Sequence, residues 1–274
     1  MAGQCAAVRR LAQNGTARRR RRSSAGDGAP CAEGRWAPAG GSRALAYQSS
    51  PGTSFSRIAV NSYPALVKDD VVICEPVRSA VGAFSGVFAV VADEHPRPGA
   101  TLDGLAAPCP VAATIDPGAT VTAGNASGQN DGVAMCVVTT WREAARVGLR
   151  PLLRPVAWAE AGVSPECMGI GSAPASTAAL GRAGLTLDDI DVVELNEASA
   201  VQVLACPREW KVDPVDERLN PNGSGTALGH PGATGARILA TTVYEMRRRG
   251  SRYGLGARCI GGGQCLAAVF GGVS

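Results

Sequence analysis

Three short stretches carry residue types able to move protons or acyl groups. LGHPGATGAR, Leu228–Arg237, sets His230, one of two histidines in the chain, in a glycine- and proline-rich turn ahead of a helical pattern. A histidine in so tight a turn meets little side-chain competition, which suits acid–base catalysis or contact with an oxyanion; a structural histidine is the other reading. In CIGGGQC, Cys259–Cys265, a cysteine at a strand end precedes a run of glycines. That pattern exposes a sulfur and frees backbone N–H groups, serving a reactive thiol or an oxyanion hole, although buried cysteines also neighbour glycine turns. ELNEASA, Glu194–Ala200, puts Asn196 and Glu197 just past an apolar strand, where an asparagine either joins a site or caps a helix.

Other chemistries fail stricter tests. The glycine-rich turn lacks the G-x-x-x-x-G-K-[ST] pattern, and it is not the first βα turn of a dinucleotide fold. Nine cysteines at irregular spacing contain no C-x-x-C pair, so no metal site and no disulfide framework is expected and the thiols read as reduced. Ten arginines against Asp27 and Glu33 make residues 1–66 basic, but no aromatic platform accompanies them, which argues against nucleic acid. The longest apolar run, Val81–Ala92, is too short to cross a membrane, and Arg9 and Arg10 interrupt any secretory leader, so the expected compartment is the cytoplasm.

The elements that must position these residues alternate as in an α/β fold. Residues 1–66 show no sustained period and read as a disordered Arg/Gly/Ala-rich tail. Order begins near Asp69 with a buried strand at Val71–Cys74. Thr120–Gly148 offers a loop, a short buried helix, a β-branched strand and a helix; LRPLLRPVAWAEAG gives a further strand. Helices are expected at Ala173–Ala183 and from Glu197 to about Cys206, with a strand at Asp191–Leu195 between them. The last helix, Arg237–Arg249, puts Ile238, Leu239, Thr242, Val243 and Met246 on one face and has Gly250 as its cap. Strands near Tyr253–Cys259 and Leu266–Phe270 close the chain.

Taken in order, VVICEPVRSAVGAFSG, DEHPRPGATLDGL, TVTAGNASGQNDG, MGIGSAPAST, GLTLDDIDVVELNEA, NPNGSGTALGHP and RCIGGGQ resemble the thiolases, over roughly Asp69–Val273 with one large gap. The resemblance implies a thiolase-like α/β fold and acyl transfer between CoA thioesters, as acetyl transfer or as thiolysis of a 3-ketoacyl-CoA in fatty acid metabolism. Coenzyme A thioester is then the substrate, with no further cofactor, and a second copy is a possible partner. By the same resemblance Cys259 is the acid/base cysteine, and His230 lowers the nucleophile's pKa and holds the thioester oxygen. Asn196 fixes a water in that oxyanion hole, and the Gly261 amide serves a second hole. Ser127, Ala123, Met168 and Ala198 line the CoA tail and acyl pocket.

The sequence departs from the family in one respect that bears on activity. No C-G-S-G-like stretch follows the first strand, and between Gly86 and Ala92 the chain passes directly to DEHPRP. The expectation is an internally truncated member whose C-terminal half is largely present. Residues 67–150 are then a remnant of the N-terminal domain with a loop-domain fragment at 92–115, and 151–274 are the C-terminal domain. Cys74, Cys109, Cys136 and Cys167 do not have the nucleophile's surroundings, so activity is expected to be impaired and exposed buried surface to lower solubility. The alternative is a non-catalytic remnant or CoA- or partner-binding module, from a degraded gene or a faulty gene model. Ser199 where the family has an aromatic, a residue missing after Pro231, and Pro207 in a helix that the family continues are smaller departures.

Overall fold

The computed structural model describes residues 69–83, 92–231 and 233–273. The Arg-rich segment 1–66 lies outside the described residues, as does most of the 86–92 junction. The chain order is β1 (Val71–Arg78), α1 (Leu102–Ala106), β2 (Gln129–Asn130), β3 (Ala134–Thr140), α2 (Trp141–Val147), β4 (Pro151–Gly162) and α3 (Ser172–Ala183). It continues with β5 (Val192–Leu195), α4 (Ala200–Trp210), α5 (Gly225–Leu228), β6 (His230–Pro231), α6 (Thr234–Arg249), β7 (Tyr253–Gly261) and β8 (Gln264–Gly272).

One sheet runs β3-β1-β4-β8-β7-β5, crossing the domain boundary expected at residue 150 without a break. Its neighbours are antiparallel except β5 and β7, which are parallel. β2 and β6 form a separate short parallel pair. Both faces of β5 are covered. Val193 packs with Ala175, Ala179 and Leu180 of α3 and Val203 and Cys206 of α4. Its neighbour Val192 packs with Val243 and Met246 of α6, as alternation along a strand requires. Hence all of β5 is buried, and the site at its C-terminal end rests on a two-sided core.

Several sequence readings shift. The expected short helix after Thr120 is a turn followed by β2: Thr122 Oγ1 donates to the Leu105 carbonyl (2.6 Å), and Asn125 Oδ1 accepts from Thr122 N (2.9 Å). Such side-chain bonds compete with helix formation. The helix expected from Glu197 starts at Ala200, because Ser199 caps it, and runs through Pro207 to Trp210. Cys109 is disulfide-bonded, against the expectation of reduced thiols, whereas Cys74, Cys136, Cys167, Cys206, Cys259 and Cys265 are free.

Helix α6 begins one turn earlier than its apolar period suggests and buries Ile238, Thr242, Val243 and Met246, with Gly250 left-handed at its end. Its last-turn arginines do more than complement the dipole. Arg248 and Arg249 both bond the buried Glu245 carboxylate, which also accepts from Asn222. Those bonds, Arg248 first, hold the Glu245 pKa at about 2, below the ordinary 4.5. A depressed carboxylate contributes stability that is present above its unfolded pKa and lost as pH falls through the folded one. Glu245→Gln should therefore flatten the loss of stability between pH 4.5 and about 2 in acid-titrated thermal melts.

Among the described residues, strand β3 forms one edge of the sheet and exposes Met135 (61%), Val137 (42%) and Val138 (61%) without a charge among its residues. An apolar uncharged edge is a template for pairing with other chains. Val138→Lys should lower light scattering at fixed concentration while leaving the melting temperature within a few degrees, as is usual for a surface change.

Candidate active site

The backbone ladder places the first residues. Leu195 pairs with Ala257, and Asn196 N donates to the Ala257 carbonyl (2.8 Å), so the turn after β5 lies beside the end of β7 that carries Cys259. Asn196 is 1% exposed, and neither its amide oxygen nor its amide nitrogen has a partner among the described residues. It caps no helix; Ser199 does that for α4. A buried amide with both ends open can hold a small hydrogen-bonding molecule between them.

Glu197 follows and ties the next segment down. Its carboxylate accepts from Asn220 Nδ2 (3.1 Å), Thr226 N (3.1 Å) and Ala227 N (3.3 Å). Burial pushes the Glu197 carboxyl pKa up, against those bonds and the Arg237 charge. The result is a fixed α5, and α5 delivers Gly229 and His230. Gly229 has φ +95°, and a Cβ there would stand 2.4 Å from Asn130 Oδ1, so glycine is required on both counts.

His230 is half-buried and held from two sides. Its backbone N donates to Asn130 Oδ1 (3.1 Å), and β6 pairs Gln129 with His230. The ring Nδ1 lies 2.8 Å from Thr234 Oγ1, which lies 2.6 Å from the Pro231 carbonyl. Burial, then Arg258 and Arg237, lower the His230 pKa below 6.5. His95, the second histidine, sits on the same asparagine, with Nδ1 3.5 Å from Asn130 Nδ2.

The 122–130 turn closes over this region. Ser127 N donates to the Ala198 carbonyl (3.0 Å), and Ala200 N to the Asn125 carbonyl (2.8 Å). Ser127, Ala198, Asn196 and His230 therefore belong to one linked set. Ala123 is exposed, and none of these bonds reaches it. Met168 is 36% exposed, and its carbonyl accepts from the Cys265 thiol at 3.4 Å, which ties it to the β7–β8 hairpin.

Cys259 is 8% exposed, less than a strand-end cysteine beside glycines suggests, because its side chain enters the core that Cys206 and Cys265 share. Gly261 is exposed at the end of β7, and Gly262 (φ +57°) and Gly263 (φ +79°) make the two-residue turn into β8. Arg258, just before Cys259, reaches across to α6: its Nη1 stands 2.8 Å from where a Gly235 Cβ would be. Among the described residues it forms no ion pair.

Sequence reasoning did not assign Asn130, Thr234, Arg258 or His95 to the site. Thr234 carried a readable signal, since a hydroxyl four residues past His230 at a helix start falls on the same side. The others are held by contacts between distant parts of the chain.

Comparisons with known proteins identify the family and the fold. The family model described as "Thiolase, C-terminal domain" matches residues 149–271, and "Thiolase, N-terminal domain" matches 67–142. The acetyl-CoA acetyltransferase of Shinella zoogloeoides is 46% identical over 215 residues, 78% of this chain and 54% of that one. The beta-ketothiolase BktB of Cupriavidus necator is 50% identical over 179 residues, 65% of this chain and 44% of that one. A crystal structure of human mitochondrial 3-ketoacyl-CoA thiolase in complex with CoA superposes with a TM-score of 0.63 at 43% identity, covering 68% of this chain and 46% of that one. The chain spans about half the length of the curated relatives it matches. The mixed α/β architecture is thus a partial thiolase fold, and the chain belongs to the thiolase family.

Proposed function

We propose that this chain carries a thiolase-type acyl-transfer site acting on CoA thioesters, by acetyl transfer or by thiolysis of a 3-ketoacyl-CoA, at reduced turnover. The observation that carries the reading is the His230–Thr234–Pro231 relay. A carbonyl can only accept, so the single Thr234 hydroxyl hydrogen goes to Pro231 and the Thr234 oxygen accepts from His230 Nδ1–H. Hydrogen bonding therefore assigns the tautomer with the lone pair on Nε2. Burial and two cations keep that ring neutral near pH 7, so Nε2 can take a thiol proton and then, charged, donate to a thioester oxygen.

The other roles rest on the resemblance to the thiolases. Cys259 moves the second proton, Asn196 holds a water with its open amide ends, and the Gly261 N–H faces a developing oxyanion. A donor pre-aimed in this way lowers a barrier by about 3–4 kcal/mol. Ser127, Ala123, Met168 and Ala198 line the approach of the acyl-CoA. Thr234 acts through His230, as a positioning residue. The cytoplasm and fatty acid metabolism are the setting proposed for this activity.

A second reading, a CoA-thioester-binding module without turnover, is favoured by one observation: no C-G-S-G stretch occurs in the sequence. Radiolabelled acetyl-CoA separates the two, with peptide mapping and Cys259→Ala as control. Label on one cysteine together with product supports acyl transfer. Bound acetyl-CoA with no label from folded protein supports the module.

Two variants test the relay. Thr234→Val should lower turnover about tenfold, the worth of one hydrogen bond, and Thr234→Ser should restore most of it. Arg258→Leu removes a cation that disfavours the charged ring, so the acidic limb of the rate profile should move toward higher pH. The limb should stay below 6.5, because burial is the larger cause.

A further inference from the structure

The hairpin that ends the chain brings two thiols into register. Its two-residue turn pairs Gly261 with Gln264, after which regular pairing would put Ile260 opposite Cys265. The register shifts instead between Cys259 and Gly261, leaving Ile260 as the extra residue and setting Cys259 directly across from Cys265. Both side chains enter the same core, so they share a face of the sheet. Directly opposed residues in antiparallel strands have Cα atoms about 4.5–5.5 Å apart, inside the roughly 4.4–6.8 Å that a disulfide spans.

The surroundings separate the two sulfurs by access. Cys265 is wholly buried, and its thiol donates to the Met168 carbonyl (3.4 Å); Cys206, the third thiol of the cluster, donates to the Gly169 carbonyl (3.4 Å). Burial pushes the Cys265 pKa up to about 11, so it stays a thiol and reacts slowly with an oxidant. Cys259, though buried, keeps 8% of its surface exposed where Cys265 and Cys206 keep none, and its sulfur makes no hydrogen bond among the described residues.

We propose that Cys259 and Cys265 form an oxidation site in which a hydroperoxide attacks Cys259 and Cys265 resolves the product as a cross-strand disulfide. In the first step the Cys259 sulfur takes the terminal peroxide oxygen and becomes a sulfenic acid, while the peroxide is reduced to water or alcohol. In the second the Cys265 sulfur displaces the hydroxyl, which leaves as water with the Cys265 proton. Two thiols and one hydrogen peroxide thus give one disulfide and two waters, and a dithiol reductant reverses the bond. The consequence for acyl transfer rests on the proposed role of Cys259; the bond itself does not.

The test uses the full chain and hydrogen peroxide. Trypsin cuts after Arg258, so both cysteines fall in the single peptide 259–274. After oxidation and alkylation, that peptide is expected to lose both alkylation sites and to be lighter by two hydrogens, with dithiothreitol restoring both sites. In Cys265→Ser, or in Cys265→Ala should the serine variant not fold, Cys259 should be trapped as a sulfenic acid adduct. An oxidised Cys259 beside an alkylatable Cys265 in the unsubstituted protein, or a cross-link to Cys206, would overturn the proposal. The mass readout stands whether or not the chain transfers acyl groups. If it does, activity should be lost with the thiols and return with them.

Discussion

The carboxylate of Glu197, buried just beyond β5, accepts hydrogen bonds from Asn220, Thr226 and Ala227. The turn that carries His230 inherits its position from that contact. It fastens the start of α5 to the sheet, α5 sets Gly229 against Asn130, and the Gly229 turn presents His230. A buried carboxylate is costly unless its lone pairs are met, and here amide donors from two separate segments meet them. Removing the carboxylate would strand those donors in the core, so the interaction does more to fix geometry than to add stability.

Much of the fold was legible in the sequence because it is periodic. The buried face of α6, its glycine cap and the presence of strands β4, β7 and β8 follow from local spacing. The true start of α4, three residues beyond Glu197, is legible as well. Ser199 followed three residues later by Gln202 is a helix-start pattern, and in the structure Ser199 accepts from Gln202 N while Gln202 Oε1 accepts from Ala198 N. A polar residue just after a strand suggests a helix start there, but the chain needs three residues to turn.

The site was only half legible. His230, Asn196 and Cys259 stand out as residue types in unusual turns. Asn130 lies a hundred residues before the backbone N–H that it anchors, and no local pattern reports such a bond. The burial of Cys259 was hidden for a related reason. Glycines after a strand suggest exposure, but which face the cysteine takes depends on a bulge at Ile260, and that is settled by pairing with β8.

The turn at Gly262 and Gly263 has a bearing on heredity as well as on shape. Both residues lie in the left-handed region, the handedness that lets a two-residue turn follow the twist of its strands. A Cβ on Gly263 would also stand 2.1 Å from the Val163 carbonyl, so a side chain there is refused by conformation and by space together. A pairing slip of one residue would turn Cys259 to the opposite face of the sheet. Mutational drift can therefore alter the walls of this site gradually, but the last hairpin admits only changes that leave its glycine corner intact.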